Sequence, residues 1–559
     1  MPSIGDEGAV QGTSQKSTSF VPKQISLSLS TRDPNPPKQQ PHEKVAMESE
    51  STPQLSLKIS RSNSSSCCQS GRAEEKEGDQ VKEEPVSPAG LVFRQEHTNC
   101  YIIAILGFGK PLDVAIIKAG LEATLARHPR FSSVQQVSDD DREGTTLRWK
   151  PTKVDVDDHV VVPDLHPESS SSDTASPDQL VEDYVASLTT VPMNSSRPLW
   201  ELHLLNIPTS EAAAVAVFRI HHSLGDGASL ISLLLACTRR TADPTSLPTL
   251  PESRPPPPPP PTSAPPLALL LYIWTVLVVS WNTLVDFVVL VATSIWLKDT
   301  PTALKGGEGV EFRSKRVVHR TVSLDDVKDI KNSMHCTVND VLVGVTSAGI
   351  SRYLHRRHGE TNDGKKQQLL KASTRLRSAM IINMRPKLEI HQDLAEMMAG
   401  KNCGVKWGNL ISYVILPFPI AMYEDPLDYV RKGKAAVDRK KNSLQAVLAY
   451  RCATFLIKMF GVKGGADMTY GLISNTTFSY SNVVGPVDEI SFYGHPILYL
   501  APSVYGHPHA LTLHYQSYMN TMKIVVAVDE STIPYPHQLL DDLAESLKVI
   551  KEAIPTKKS

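Results

Sequence analysis

An apolar run that ends in two histidines constrains this chain more than any other stretch. Ala213-Ala214-Val215-Ala216-Val217-Phe218-Arg219-Ile220 is short and partly β-branched, and reads as a buried strand. His221-His222-Ser223-Leu224-Gly225-Asp226-Gly227 follows, and Ala228 to Cys237, rich in Ala and Leu, reads as a helix. Neighbouring side chains on a strand face opposite ways, so His221 and His222 cannot both enter one cavity. One can be a base while the other packs. Asp226 lies four residues after His222, across a turn that Gly225 and Gly227 allow to be tight. A carboxylate there either orients an imidazole or clamps the turn through an arginine. A lone histidine near a strand is ordinarily a satisfied core residue. Two histidines, an aspartate and two glycines in this order are hard to explain as packing.

The 559 residues suffice for two core-sized lobes beside a tail. Lys+Arg 58 against Asp+Glu 59 leaves a net charge of -1, which gives no electrostatic footprint for nucleic acid. Seven scattered cysteines, two of them the adjacent Cys67 and Cys68, show neither a disulfide framework nor zinc spacing. Free thiols in a reducing compartment are expected. Residues 1–84 are Ser/Pro/Gln/Lys/Glu-rich and nearly free of aromatics, and are expected to be a disordered extension. They show no basic start followed by an apolar core, so no cleavable signal peptide is read there.

A first lobe is expected over 85–242. Tyr101 to Leu106 reads as a strand, and Leu112 to Arg127 as a helix with Ile116, Ile117, Leu121 and Leu125 on one side. His128-Pro129 ends that helix, so His128 is read as structural and not as a base. A Pro-rich spacer spans 243–266, with an unbroken proline run from Pro255 to Pro261. Leu267 to Leu297 is almost wholly apolar and carries Trp274, Trp281 and Trp296. As one helix it is roughly 45 Å long against ~30 Å of hydrocarbon. Asn282 and Asp286 interrupt its middle. A single crossing would put the flanking lobes on opposite sides of a bilayer. The segment is therefore expected either to turn back around Asn282–Asp286 or to lie along the surface as a monotopic anchor.

A second lobe is expected over 310–555. Val317 to Val322 alternates like a strand, and Ser323 caps a helix with Asp325 and Asp326 in its first turn. Asp425 to Leu444 reads as a basic helix, ordinarily a solvated face.

HHSLGDG is identified with the HHxxxDG signature of the CoA-dependent acyltransferase superfamily. The flanking segments resemble the plant-type bifunctional wax ester synthase/diacylglycerol acyltransferases. The matches, from about Pro85 onward, are His128-Pro129-Arg130-Phe131, Pro198-Leu199-Trp200-Glu201, Asn339-Asp340, Asn383-Met384-Arg385-Pro386, Gly408-Asn409 and Ser481-Asn482-Val483-Val484-Gly485-Pro486. The resemblance implies an α/β (α+β) protein of two chloramphenicol-acetyltransferase-like lobes, with an active-site channel between them. It implies transfer of a long-chain acyl group from acyl-CoA, a co-substrate, to a fatty alcohol or diacylglycerol, with no bound cofactor. Such acceptors live in membranes. The expected location is the endoplasmic reticulum membrane with the lobes facing the cytosol, the plasma membrane being the alternative.

The chemistry needs a base of pKa near neutrality to activate a hydroxyl, and histidine fits. His222 is expected to take the alcohol proton and pass it to the leaving thiolate, with His221 supporting and Gly227 in the turn. By analogy with the family, Asp226 holds the turn through an arginine, with Arg385 the candidate. Asn482, or the backbone near Gly485 and Pro486, is the expected oxyanion donor. Asn339, Asp340 and Asn383 are expected to fix lobe geometry, and the basic helix after Asp425 is one place for CoA phosphates. No metal-ligand spacing and no Gly-x-Ser-x-Gly elbow is present. A condensation-type amide-forming domain shares HHxxxDG but should sit beside carrier modules. A non-catalytic lipid-binding protein of this fold would tolerate loss of His222 and Asp226.

Overall fold

The computed structural model describes residues 83–137, 147–165, 176–251, 266–361, 374–385, 390–401 and 407–555. The N-terminal extension up to 82 and the proline run at 255–261 lie outside the described residues. The polypeptide forms two large mixed sheets, each with its own apolar core.

The first sheet has seven strands, in the order Val160–Val161, Trp200–Leu205, Ala214–His221, Tyr101–Phe108, His495–Tyr505, Ile490–Phe492, Thr238–Arg240. The motif strand Ala214–His221 lies antiparallel between Trp200–Leu205 and Tyr101–Phe108. It is interior to the sheet, which is why it is apolar throughout apart from Arg219 and the terminal His221. Arg219 is buried and pairs with Glu201 at 3.1 Å, while its Nε donates to the Tyr505 hydroxyl at 2.6 Å. Trp200 is fully buried, its indole N–H donating to the Phe131 carbonyl at 2.9 Å. His128 is also buried, accepting the Arg130 N–H at Nδ1 and meeting Trp407 edge-on. The helix before it runs from Val114 to Ala123, capped by Asp113. Ile117, Leu121 and Leu125 face the core, but Ile116 faces out.

The second sheet has six strands, in the order Ile411–Pro417, Arg377–Asn383, Phe478–Val483, Leu511–Tyr518, Thr521–Val528, Arg316–Ser323. Ser323 caps the following helix, Leu324–Ser333, through the Asp326 N–H. The expected division at 85–242 and 310–555 fails for sheet membership. Strands Ile490–Phe492 and His495–Tyr505 leave the second half and complete the first sheet, Tyr505 opposite Tyr101 and Ile497 opposite Phe108. Local sequence gives a strand's periodicity but not its partner. The two lobes are thus sewn together by main-chain hydrogen bonds.

The apolar segment is one helix, Pro266–Ile295, with no turn at Asn282–Asp286. The re-entrant alternative is therefore corrected. Both polar residues are absorbed by packing: buried Asp286 pairs with Arg439 at 2.6 Å and Lys440 at 2.8 Å, and the Asn282 amide donates to the Asn442 carbonyl. Against this helix lies a second long apolar one, Gln445–Ser474, which breaks helical geometry at Gly461 (φ 74°). Its approach is tight, since a side chain at Gly471 would meet the Ser294 carbonyl at 2.0 Å. By length and hydropathy it too is apolar enough to cross a membrane, but four glycines and scattered charges interrupt its pattern between 458 and 471.

Candidate active site

His221 and His222 part company as the strand ends. His221 is sealed in the first lobe, with Nδ1 2.6 Å from the Ser223 hydroxyl, Nε2 2.9 Å from Asn99 Oδ1, and Tyr101 edge-on to its ring. His222 turns to the junction of the lobes. Its N–H donates to the Cys100 carbonyl at 2.9 Å, and its ring lies 4.3 Å from that of Phe93. It lines a narrow cavity with Phe93, Cys100, Ile381, Tyr413 and Val504 as apolar and aromatic walls. Ser479, Ser481, His507, Thr512 and His514 form a polar side.

Burial holds the His222 pKa below the usual histidine value, offset in part by its own backbone carbonyl and by the Asp226 carboxylate. The ring is therefore neutral at pH 7. Nδ1 is buried without a hydrogen-bond partner, and Asn409 and the residue's own carbonyl also favour the protonated ring. Nε2 makes no hydrogen bond to any described residue, and it is the atom free for a substrate.

The turn that carries His222 is held from the second lobe. Asp226 caps the helix Gly227–Cys237 through the Ser229 N–H at 3.0 Å. Its carboxylate also accepts from Arg385 at 2.8 and 2.6 Å and from the Leu410 N–H at 2.9 Å. Asn383 Oδ1 accepts both the Arg385 N–H and its guanidinium, fixing the fork, and a further Arg385 nitrogen donates to the Gly408 carbonyl. The Asn409 amide donates to the carbonyls of His222 and Ser223, and the Trp407 N–H to that of Leu224 at 2.6 Å. Asp226 thus clamps the turn and does not touch the His222 ring. Neither Gly225 nor Gly227 adopts positive φ. Gly225 is required for space, since a side chain there would press on Trp407 at 3.0 Å.

Several expected residues lie elsewhere. Asn482 sits on the opposite face of its strand from Ser481 and donates to Asn339 Oδ1 at 2.7 Å, away from the cavity, because side chains alternate along Phe478–Val483. The Gly485 N–H donates to the Ser517 hydroxyl, and the Pro486 carbonyl accepts from Met519, so both shape a turn. Asp340 accepts the Thr337 N–H at 2.8 Å and lies 3.4 Å from Lys441. The basic helix, Leu427–Lys441, is largely neutralised within the protein. Arg431 pairs with Asp425 and Asp428, Lys434 with Asp438, and Arg439 and Lys440 with Asp286. It is a poor place for CoA phosphates. Cavity residues missed from sequence include Phe93, Cys100, Tyr413, Ser479, His507 and His514. Three histidines within eight residues, His507, His509 and His514, were the available signal.

Two sheets, the first completed by a strand pair from the second half of the chain, meet at a cavity into which a motif histidine opens, and these are the makings of an acyltransferase. The fold is similar to that of the wax ester synthase/diacylglycerol acyltransferase from Marinobacter aquaeolei VT8. That match has a TM-score of 0.51 at 14% identity and covers 84% of this chain and 100% of that one. It is equally similar to the first condensation domain of the CDA synthetase, with a TM-score of 0.51, 13% identity, and coverage of 85% and 98%. Sequence separates the two. Residues 97–342 match the wax ester synthase/diacylglycerol acyltransferase catalytic domain, and residues 407–551 match the C-terminal domain of the same enzymes. Wax ester synthase/diacylglycerol acyltransferase 6 of Arabidopsis thaliana is 47% identical over 500 residues, covering 86% of this chain and 95% of its own length. Number 5 of the same plant is 46% identical over 489 residues, covering 86% and 95%. The chain belongs to the wax ester synthase/diacylglycerol acyltransferase family, and it is an acyltransferase.

Proposed function

We propose that the protein moves a long-chain acyl group from acyl-CoA to the hydroxyl of a fatty alcohol or a diacylglycerol, with His222 as general base. The observation that carries this is the neutral imidazole of His222, buried at the lobe junction with Nε2 free. A hydroxyl brought to Nε2 loses its proton as its oxygen adds to the thioester carbonyl. The tetrahedral intermediate collapses with cleavage of the C–S bond, and the proton on Nε2 passes to the departing thiolate. His222 ends as it began, so a catalytic cycle needs no acyl-enzyme and no bound cofactor. Asp226, Arg385, Asn409 and Trp407 keep the turn, and with it the imidazole, in place.

On this reading the protein sits on the endoplasmic reticulum membrane with both lobes in the cytosol. Support comes from the two apolar helices. Trp274, Trp281 and Trp296 are each about two-thirds exposed, as are Phe455, Met459 and Phe460 on the second helix. Such a face suits the interfacial region of a bilayer. The ties of Asp286 and Asn282 to the second lobe favour a helix lying on the membrane over one crossing it.

The test is to supply labelled long-chain acyl-CoA with each acceptor to purified protein in lipid vesicles and to resolve the neutral lipids. Wild type should yield wax ester, triacylglycerol or both. His222→Ala should lower the rate by ~10²–10⁴-fold, the usual loss of a general base. An unchanged rate in that variant overturns the reading.

A further inference from the structure

Two further imidazoles, His507 and His514, line the cavity with His222, and proton transfer requires neither. His514 lies on Leu511–Tyr518, in parallel register with Ser481 and antiparallel to Val525. Along this strand Leu511, Leu513 and Tyr515 enter the apolar core of the second lobe. Thr512 and His514 therefore point the other way, into the cavity. His514 is buried, and among the described residues its one side-chain partner is the Ser503 hydroxyl, at a long 3.5 Å from Nδ1. That hydroxyl is fully buried and has no other partner among the described residues. A hydroxyl donating to Nδ1 puts the ring proton on Nε2. Nε2 hydrogen-bonds to no described residue, and the cavity it faces has apolar walls in Phe93, Ile381 and Val504 and polar groups in Ser481 and Thr512. With no acceptor among the described residues, that N–H is left for a ligand in the cavity.

The reaction creates a partner for such a donor. As the alkoxide oxygen adds, the thioester carbonyl oxygen takes up a full negative charge, and the Asn482 amide faces away from it. We propose that His514 is the oxyanion donor, its Nε2–H hydrogen-bonding the acyl oxygen through the tetrahedral intermediate without giving up its proton. The inference rests on His222 being the base. Burial, followed by the nearby His222, holds the His514 pKa at about 4, so His514 stays neutral while His222 gains and loses its proton. The two imidazoles divide the work: one moves a proton, and the other stabilises charge.

The experiment compares His514→Leu, His514→Gln and His222→Ala, each checked for folding by its thermal transition. Steady-state kinetics use a long-chain acyl-CoA and a long-chain alcohol. Loss of one oxyanion donor ordinarily lowers kcat by ~10²–10³-fold. His514→Leu should fall in that range, with the KM for acyl-CoA changed less than about threefold. Glutamine keeps an N–H at similar reach, so His514→Gln should recover at least about tenfold in kcat over leucine. A His514→Leu enzyme with kcat within threefold of wild type overturns the proposal. So does a leucine variant whose loss lies in KM, or a folded glutamine variant no better than leucine. If leucine fails to fold, His514→Gln is compared with His514→Met, and equal kcat in those two counts against the donor role. His222→Ala separates the two claims: activity there defeats the base assignment, whereas loss there with a normal His514→Leu defeats only the oxyanion donor.

Discussion

Replacing Asp226 by asparagine tests whether this carboxylate is a clamp or an orienter of histidine. In the native protein it accepts four hydrogen bonds: two from Arg385, and one each from the N–H groups of Ser229 and Leu410. The carboxylate side chain is 2% exposed and the guanidinium 6%, so water compensates neither. Asparagine can still cap Ser229 through its carbonyl, which keeps most of the ~1 kcal/mol of a helix cap. Its amide cannot accept the Leu410 N–H, leaving a buried donor unmet at about 1–3 kcal/mol. The larger cost is the uncompensated Arg385 charge, since breaking one side of a buried pair typically costs about 3–5 kcal/mol. A loss on the order of 4 kcal/mol is a large share of the ~5–15 kcal/mol that holds most proteins together. Asp226→Asn should therefore lower the denaturant midpoint and the folded yield sharply. Arg385→Met should do the same by similar reasoning. The double variant should lose less than the sum of the singles by more than about 1 kcal/mol, because the stranded charge is gone. The assay is urea unfolding of purified protein in detergent, with activity measured alongside. Normal stability combined with a large fall in kcat would refute the clamp and favour an orienting carboxylate.

Stability should also depend on pH in a stated direction. Burial depresses the pKa of His514 to about 4 and of His128 and His507 to about 3, against about 6.5 in an unfolded chain. Between these values the unfolded chain binds more protons, so stability is complete above about pH 6.5 and falls as pH drops towards 4. Denaturation midpoints from pH 8 to 4 measure this, and a midpoint unchanged down to pH 4.5 contradicts the assignment. For the membrane face, tags placed near Pro255 and Gly306 should both be reached by protease on sealed microsomes without detergent. Protection of one tag alone means a crossing helix.

The site was legible where chemistry is local. The turn that presents His222 is built by seven consecutive residues, and the strand–turn–helix around it follows from apolar patterning. What local sequence could not supply were the long-range partners. Asn409 and Trp407 reach His222 and Leu224 across more than 180 residues. His507 and His514 gain meaning only when their strand faces the cavity. Asn482 misled because a one-residue step along a strand reverses its face, and the family motif carries no mark of which residue of Ser481-Asn482 faces inward. The helix Gln445–Ser474 went unread because its glycines interrupt the pattern that its packing against Pro266–Ile295 restores.

The strand that crosses back to the first sheet has a consequence for synthesis. Cys100 and Gly506, which meet where Tyr101 lies opposite Tyr505, are 406 residues apart in the chain. At ~5–20 residues per second, about 20–80 s separate the emergence of the two from the ribosome. Throughout that interval one edge of Tyr101–Phe108, apolar along its length, has no native partner. The nascent first lobe is an open sheet that only about the last eighth of the message can close. A premature stop anywhere before Tyr505 therefore removes His507, Thr512 and His514 from the wall of the His222 cavity as well as the tail of the chain, and leaves an edge that invites aggregation.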